Sequence, residues 1–149
     1  LFLQKEPYLS FLSGCSSVVL EAVTLGGEVD LLIRRISKED MAAGVVADAC
    51  ASALLETLAD EAEEALEKER TYRFCPGYGG SDISDVKYIL EAVRGERIGI
   101  TVQQSGLMLP QKTMAGFVGI GKTAQKSCAG CILGEHCAYR KEGRVCYAK

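Results

Sequence analysis

An α+β fold with a mostly antiparallel sheet is predicted by three segments of this 149-residue chain. Ser17 to Leu25 is apolar, rich in β-branched residues and closed by Gly26-Gly27, the pattern of a largely buried strand. From Lys38 to about Glu69 the chain lacks Pro and is full of Ala, Leu and Glu, which predicts a long helix. Ile98 to Val102 reads as a second strand.

The elements between them follow from local pattern. Val29, Leu32, Ile33 and Ile36 recur every three or four residues, so Glu28 to Ile36 is a short amphipathic helix, with Ser37 as the cap of the next one. In the long helix Met41, Val45, Ala49, Leu54, Leu58, Ala62 and Leu66 form the apolar stripe expected to face the core. Its acidic second half, Ala59 to Arg70, reads as a solvated surface. Thr71 to Phe74 is extended, and Cys75-Pro76-Gly77-Tyr78-Gly79-Gly80 is a loop. Ser81 caps a helix to about Val93, and Gln103 to Gly121 alternates poorly enough to predict irregular strands around Pro110.

Length and composition bound the function. The chain holds one core, so residues 1–149 form a single domain, and its opening in mid-pattern points to a longer native N-terminus. A net charge of -3 with scattered Lys and Arg excludes a nucleic-acid field. No apolar run approaches the roughly 18 residues of a membrane helix, and Lys5, Glu6 and Pro7 interrupt any signal-peptide core, so no membrane partner and a cytoplasmic location are expected.

Three motifs stand in order: Arg73-Phe74-Cys75-Pro76-Gly77-Tyr78, then Thr101-Val102-Gln103-Gln104-Ser105-Gly106-Leu107-Met108-Leu109-Pro110, then Thr113-Met114-Ala115-Gly116-Phe117. Together they resemble the activation domain of cobalamin-dependent methionine synthase, where an Arg-x-x-Pro-Gly-Tyr loop precedes a Thr-x-x-Ser-x-x-Met-x-Pro strand and a Ser-Gly-aromatic turn. Upstream, Leu12-Ser13-Gly14-Cys15, Thr24-Leu25-Gly26, Leu32-Ile33-Arg34-Arg35 and the run from Asp48 to Ala53 look like stand-alone members of that family. The chain departs from the pattern at Gly79, where Pro is usual, and at Val118, where an aromatic residue is usual.

The resemblance implies a twisted, mostly antiparallel sheet flanked by helices and a shallow groove for S-adenosylmethionine. It implies Arg73 on the ligand carboxylate, main chain at Arg73 and Cys75 against the adenine, Pro76 and Gly77 shaping the turn, and Tyr78 on the groove or on the face that meets cobalamin. A guanidinium suits a carboxylate bidentately. The sulfonium calls for an acid, for which Glu67 and Asp48 are the candidates, although 19 helical residues between them span roughly 28 Å.

The implied activity is reductive methylation of cobalamin carried by a partner methionine synthase or corrinoid protein, with an electron from a flavodoxin- or ferredoxin-like donor. No Asp-x-His-x-x-Gly motif occurs, since Gly134 stands two residues before the only His, His136. The rival functions are a non-catalytic module that docks on a corrinoid protein and a cysteine-tail module for electron transfer or zinc.

Two further patterns are chemical. Gly116 to Thr123 fits G-x-x-x-x-G-K-[ST], but Ala124 to Cys131 is too short and broken for the helix a phosphate loop requires, so the family turn explains those residues better. Cys128, Cys131, Cys137 and Cys146 crowd into the tail, with spacing that matches no standard signature and leaves open an iron-sulfur cluster, zinc or a reduced metal-free tail.

Overall fold

The computed structural model describes residues 2–124, 128, 131 and 133–147. In chain order it contains α1 (Tyr8–Phe11), β1 (Ser17–Thr24), α2 (Gly27–Glu39), α3 (Met41–Glu63), α4 (Val86–Val93), β2 (Thr101–Val102), β3 (Met108–Leu109), β4 (Thr113–Ile120) and α5 (Ala138–Lys141). The fold is α+β, with small antiparallel sheets flanked by helices.

β1 and β4 pair antiparallel along their whole length, from Ser17 opposite Ile120 to Thr24 opposite Thr113. On the far edge of β4 runs the segment 70–74, bridged at Arg70–Ile120 and Phe74–Phe117. β4 is thus central, and it is buried on both faces. That explains why its sequence alternates so little: a strand covered on both sides has no polar face to display. Where irregular strands and a Gly-aromatic turn were expected, residues 113–120 form one regular strand. The second strand is shorter than predicted, because Gly95–Ile98 winds as a 3₁₀ turn and only Thr101–Val102 pairs, with β3.

One face of this layer carries the core. Tyr8, Phe117, Ile89 and Val86 are wholly or almost wholly buried, and Phe74 stacks on Phe117 with ring centroids 5.4 Å apart. Tyr8 meets both rings edge-on, a favoured aromatic geometry. Its hydroxyl donates to Asp85 Oδ2 at 3.1 Å, and Lys5 Nζ holds the other oxygen at 3.1 Å. Burial, above all, pushes the Tyr8 phenol up to about 12.

On the other face, α3 lies over the sheet in a different rotation from the one predicted. Its buried residues are Gly44, Ala51, Leu55, Ala59 and Glu63, while Met41, Val45, Leu54 and Leu58 are exposed. The first half of the helix is apolar on nearly every face, so periodicity could not choose its face. Small residues did: a Cβ on Gly44 would stand 2.2 Å from Ser37 Oγ, so α2 and α3 cross too closely there for any side chain. Ser37 is inside α2, bonding back to the Ile33 carbonyl at 2.8 Å, and Asp40 caps α3 by accepting from Ala42 N and Ala43 N. By length and composition alone α3 is also long and apolar enough to cross a membrane, which corrects the expectation that no segment is.

Candidate functional site

The three motif segments converge. Phe74 exchanges both backbone bonds with Phe117, at 2.9 and 3.0 Å. Antiparallel alternation then turns the N–H and C=O of Arg73 and the N–H of Cys75 toward the outer edge of this strand, away from β4, while the Cys75 carbonyl accepts from Tyr78 N at 3.3 Å. A Cβ on Gly116 would stand 2.9 Å from the Phe74 carbonyl oxygen and 3.0 Å from both Arg73 Cγ and Cys75 Sγ. Only glycine there lets the Arg73–Cys75 strand lie flat on β4.

The loop beyond it is held from two sides. Ser81 Oγ accepts from Gly77 N at 3.0 Å and donates to the Tyr78 carbonyl at 2.7 Å, so this serine ties the loop, and Asp82 takes the capping role by accepting from Ser84 N. Ile83 supports both the loop and the second motif. Cβ atoms built on Gly77 and Gly106 would stand 3.0 and 2.9 Å from Ile83 side-chain atoms. Pro76 is buried, whereas Gly77, Gly79, Gly80 and Tyr78 are exposed.

Arg73 itself is enclosed, its side chain only 9% exposed. Nη1 pairs with Glu21 at 3.3 Å and, most closely, with Glu63, while Nη2 pairs with Glu56 at 2.9 Å and Asp60 at 3.1 Å. Asp60 and Glu63 belong to the run predicted to be a solvated surface. Glu56, Asp60 and Glu63 recur at helical spacings of four and three, so they share the face of α3 that meets Arg73, and Glu63 is buried. That spacing was the signal available in the sequence. Glu21, from β1, had none.

The cluster is electrostatically loaded. Desolvation pushes the Glu63 carboxyl up to about 7; the Arg73 charge opposes this, but the adjacent Glu21 reinforces it. Burial alone would lower the Arg73 pKa, yet Glu63, Glu21 and Glu56 together raise it, so the guanidinium stays charged. Burial also pushes the Cys75 thiol up to about 11, so it is no nucleophile near neutral pH.

The remaining predicted residues are dispersed. Glu67 is exposed beyond the end of α3 and outside the Arg73 cluster. Asp48 pairs with Lys112 Nζ at 2.8 Å, tying α3 to the approach to β4. The larger clefts also lie elsewhere. One of about 530 Å³ is bounded by Phe2, Leu3 and Tyr88; another of about 530 Å³ follows β1 between Glu21, Ala62, Arg94 and Arg97. The first is apolar and remote from the converging motifs. The second touches the carboxylate cluster through Glu21.

The phosphate-loop pattern fails structurally, since Gly116 to Ile120 are strand and Lys122 Nζ donates to the Ser13 carbonyl at 2.7 Å. Residues 125–127 lie outside the described ones. Compared with protein families the chain matches no family model, and compared with curated proteins it matches none.

Proposed function

We propose that this chain binds S-adenosylmethionine along the outer edge of the Arg73–Tyr78 strand and loop, and serves the reductive methylation of cobalamin carried by a partner. The observation that carries the reading is the convergence of three motifs separated in sequence. Gly116 seats the Arg73–Cys75 strand, and Ile83 joins the Gly77 loop to the Gly106 turn. The outward-facing N–H and C=O of Arg73 and the N–H of Cys75 suit the donor-acceptor edge of an adenine.

The acids modify the role expected of Arg73. A ligand carboxylate would have to replace Glu56 or Asp60 on Nη2, whereas the sulfonium and ammonium of the ligand meet an acid-rich side without displacement. Arg73 then holds the acids and the strand in place. In the reaction one electron reduces cob(II)alamin to cob(I)alamin. Its cobalt attacks the methyl carbon, the carbon-sulfur bond breaks, and the electron pair leaves on sulfur as the neutral thioether of S-adenosylhomocysteine. The protein contributes positioning, because the nucleophile is the cobalt.

Calorimetric titration tests this. S-adenosylmethionine should bind saturably and more tightly than S-adenosylhomocysteine, which lacks the positive charge. Glu56→Gln, at a half-exposed carboxylate, should narrow that preference about twofold to fivefold. Absence of binding by the parent chain would reject the reading and leave a docking module.

A further inference from the structure

We propose that the cysteine tail is an iron-sulfur cluster site, ligated by Cys128, Cys131, Cys137 and Cys146. All four line one cavity of about 110 Å³, and all are free thiols. They are brought there by a succession of turns. Cys131 N–H donates to the Cys128 carbonyl at 3.4 Å, and Gly134 N–H donates to the Cys131 carbonyl at 3.0 Å. Cys137 starts α5, its carbonyl accepting from Lys141 N at 3.2 Å, and the bond from Arg144 N to the Tyr139 carbonyl, 2.8 Å, returns the chain toward Cys146.

Size favours a cluster over a single ion. Zinc bound at about 2.3 Å by four thiolates brings the sulfurs to within roughly 3.8 Å of one another and fills the centre completely. Among the described residues no three His, Cys, Asp or Glu are gathered to hold a metal ion, so the four thiols would have to draw in on whatever occupies the cavity. The cavity instead exceeds the roughly 30 Å³ share of one water more than threefold, room for an inorganic core of iron and sulfide.

The lining suits the same occupant. Leu133 and Val145 provide apolar walls, and Arg140 and Arg144 also line the cavity, Arg144 being paired with Glu142. An apolar wall limits solvent access to a cluster. Four cysteinyl thiolates are the ordinary ligand set of such clusters. Where the corrinoid reading holds, the reduced cluster gives one electron to cob(II)alamin and returns to its oxidised state, and a ferredoxin- or flavodoxin-like donor reduces it again. The cluster assignment stands without that reading.

The full chain, produced and purified without oxygen, gives the test through its iron, acid-labile sulfide and zinc content. Expected are iron and sulfide in equal amounts, about two or about four of each per chain. A broad visible absorbance should bleach on reduction with dithionite. Cys131→Ser and Cys146→Ser should each lower iron and sulfide several-fold while far-ultraviolet circular dichroism and S-adenosylmethionine titration match the parent. Zinc at about one per chain without sulfide would overturn the assignment. So would four alkylatable thiols with no metal, or serine variants that keep the iron content of the parent.

Discussion

Replacing Arg73 by Met preserves most of the side-chain volume and removes the one charge that Glu21, Glu56, Asp60 and Glu63 share. Glu56 and Asp60 are at least half exposed, so water screens their loss and each accounts for less than about 1 kcal/mol. Glu21 and Glu63 are different: their side chains are 14% and 10% exposed, and without Arg73 they face each other as like charges in a poorly solvated site. Stranding one member of a buried pair costs about 3–5 kcal/mol. In urea unfolding at pH 8 that lowers the midpoint by roughly 1–5 M. At pH 5 the Glu63 carboxyl is already protonated, since its folded-state value is about 7, and the deficit should shrink by at least half. Adding Glu63→Gln to Arg73→Met should recover much of the loss at pH 8. An Arg73→Met chain that unfolds like the parent at pH 8, or that loses equally at both pH values, would refute the cluster.

The parent chain carries its own pH signature. Glu63 moves from an ordinary value of 4.5 to about 7 on folding, so the folded state holds that proton more tightly; the contribution is complete below about pH 4.5 and is lost as pH rises through about 7. It amounts to on the order of 3 kcal/mol at most, and Glu63→Gln should flatten that part of the stability profile measured by urea titration. Gly119→Ala should destabilise by about 1–3 kcal/mol in thermal unfolding, because its Cβ would stand 2.5 Å from Cys15 Sγ and 3.0 Å from Leu12 Cδ2; Cys15→Ala in the same chain should restore part of it. Tyr8→Phe removes the phenol bond to buried Asp85 while Lys5 remains, and should cost about 1–3 kcal/mol by the same measurement.

How much of this was legible depended on whether each segment faces one environment or several. β1 was readable to within a residue because a β-branched apolar run ends at a Gly pair. β4 was not, because burial on both faces and glycines at 116 and 119 erase alternation, and their meaning appears only when the 70–74 segment lies across them. α3 was legible as a helix but not in its orientation, since Val45 and Leu54 look as suited to a core as Leu55 does, and the close crossing at Gly44 decides. At the site, the order of the motifs along the chain made Arg73 to Tyr78 stand out. The partners of Arg73 did not, because acids on a helix are ordinarily solvated and only the partner across space distinguishes Glu63 from Glu64.

Amide chemical-shift mapping on the isotopically labelled chain, titrated with S-adenosylmethionine, tests the proposed site most directly. The expected result is that the largest shifts fall on residues 73–80, spread to 103–107 through Ile83 and to 115–118 through Gly116, and spare Phe2, Leu3 and Tyr88. Shifts confined to the Phe2–Tyr88 cleft, or none at saturating ligand, would contradict it.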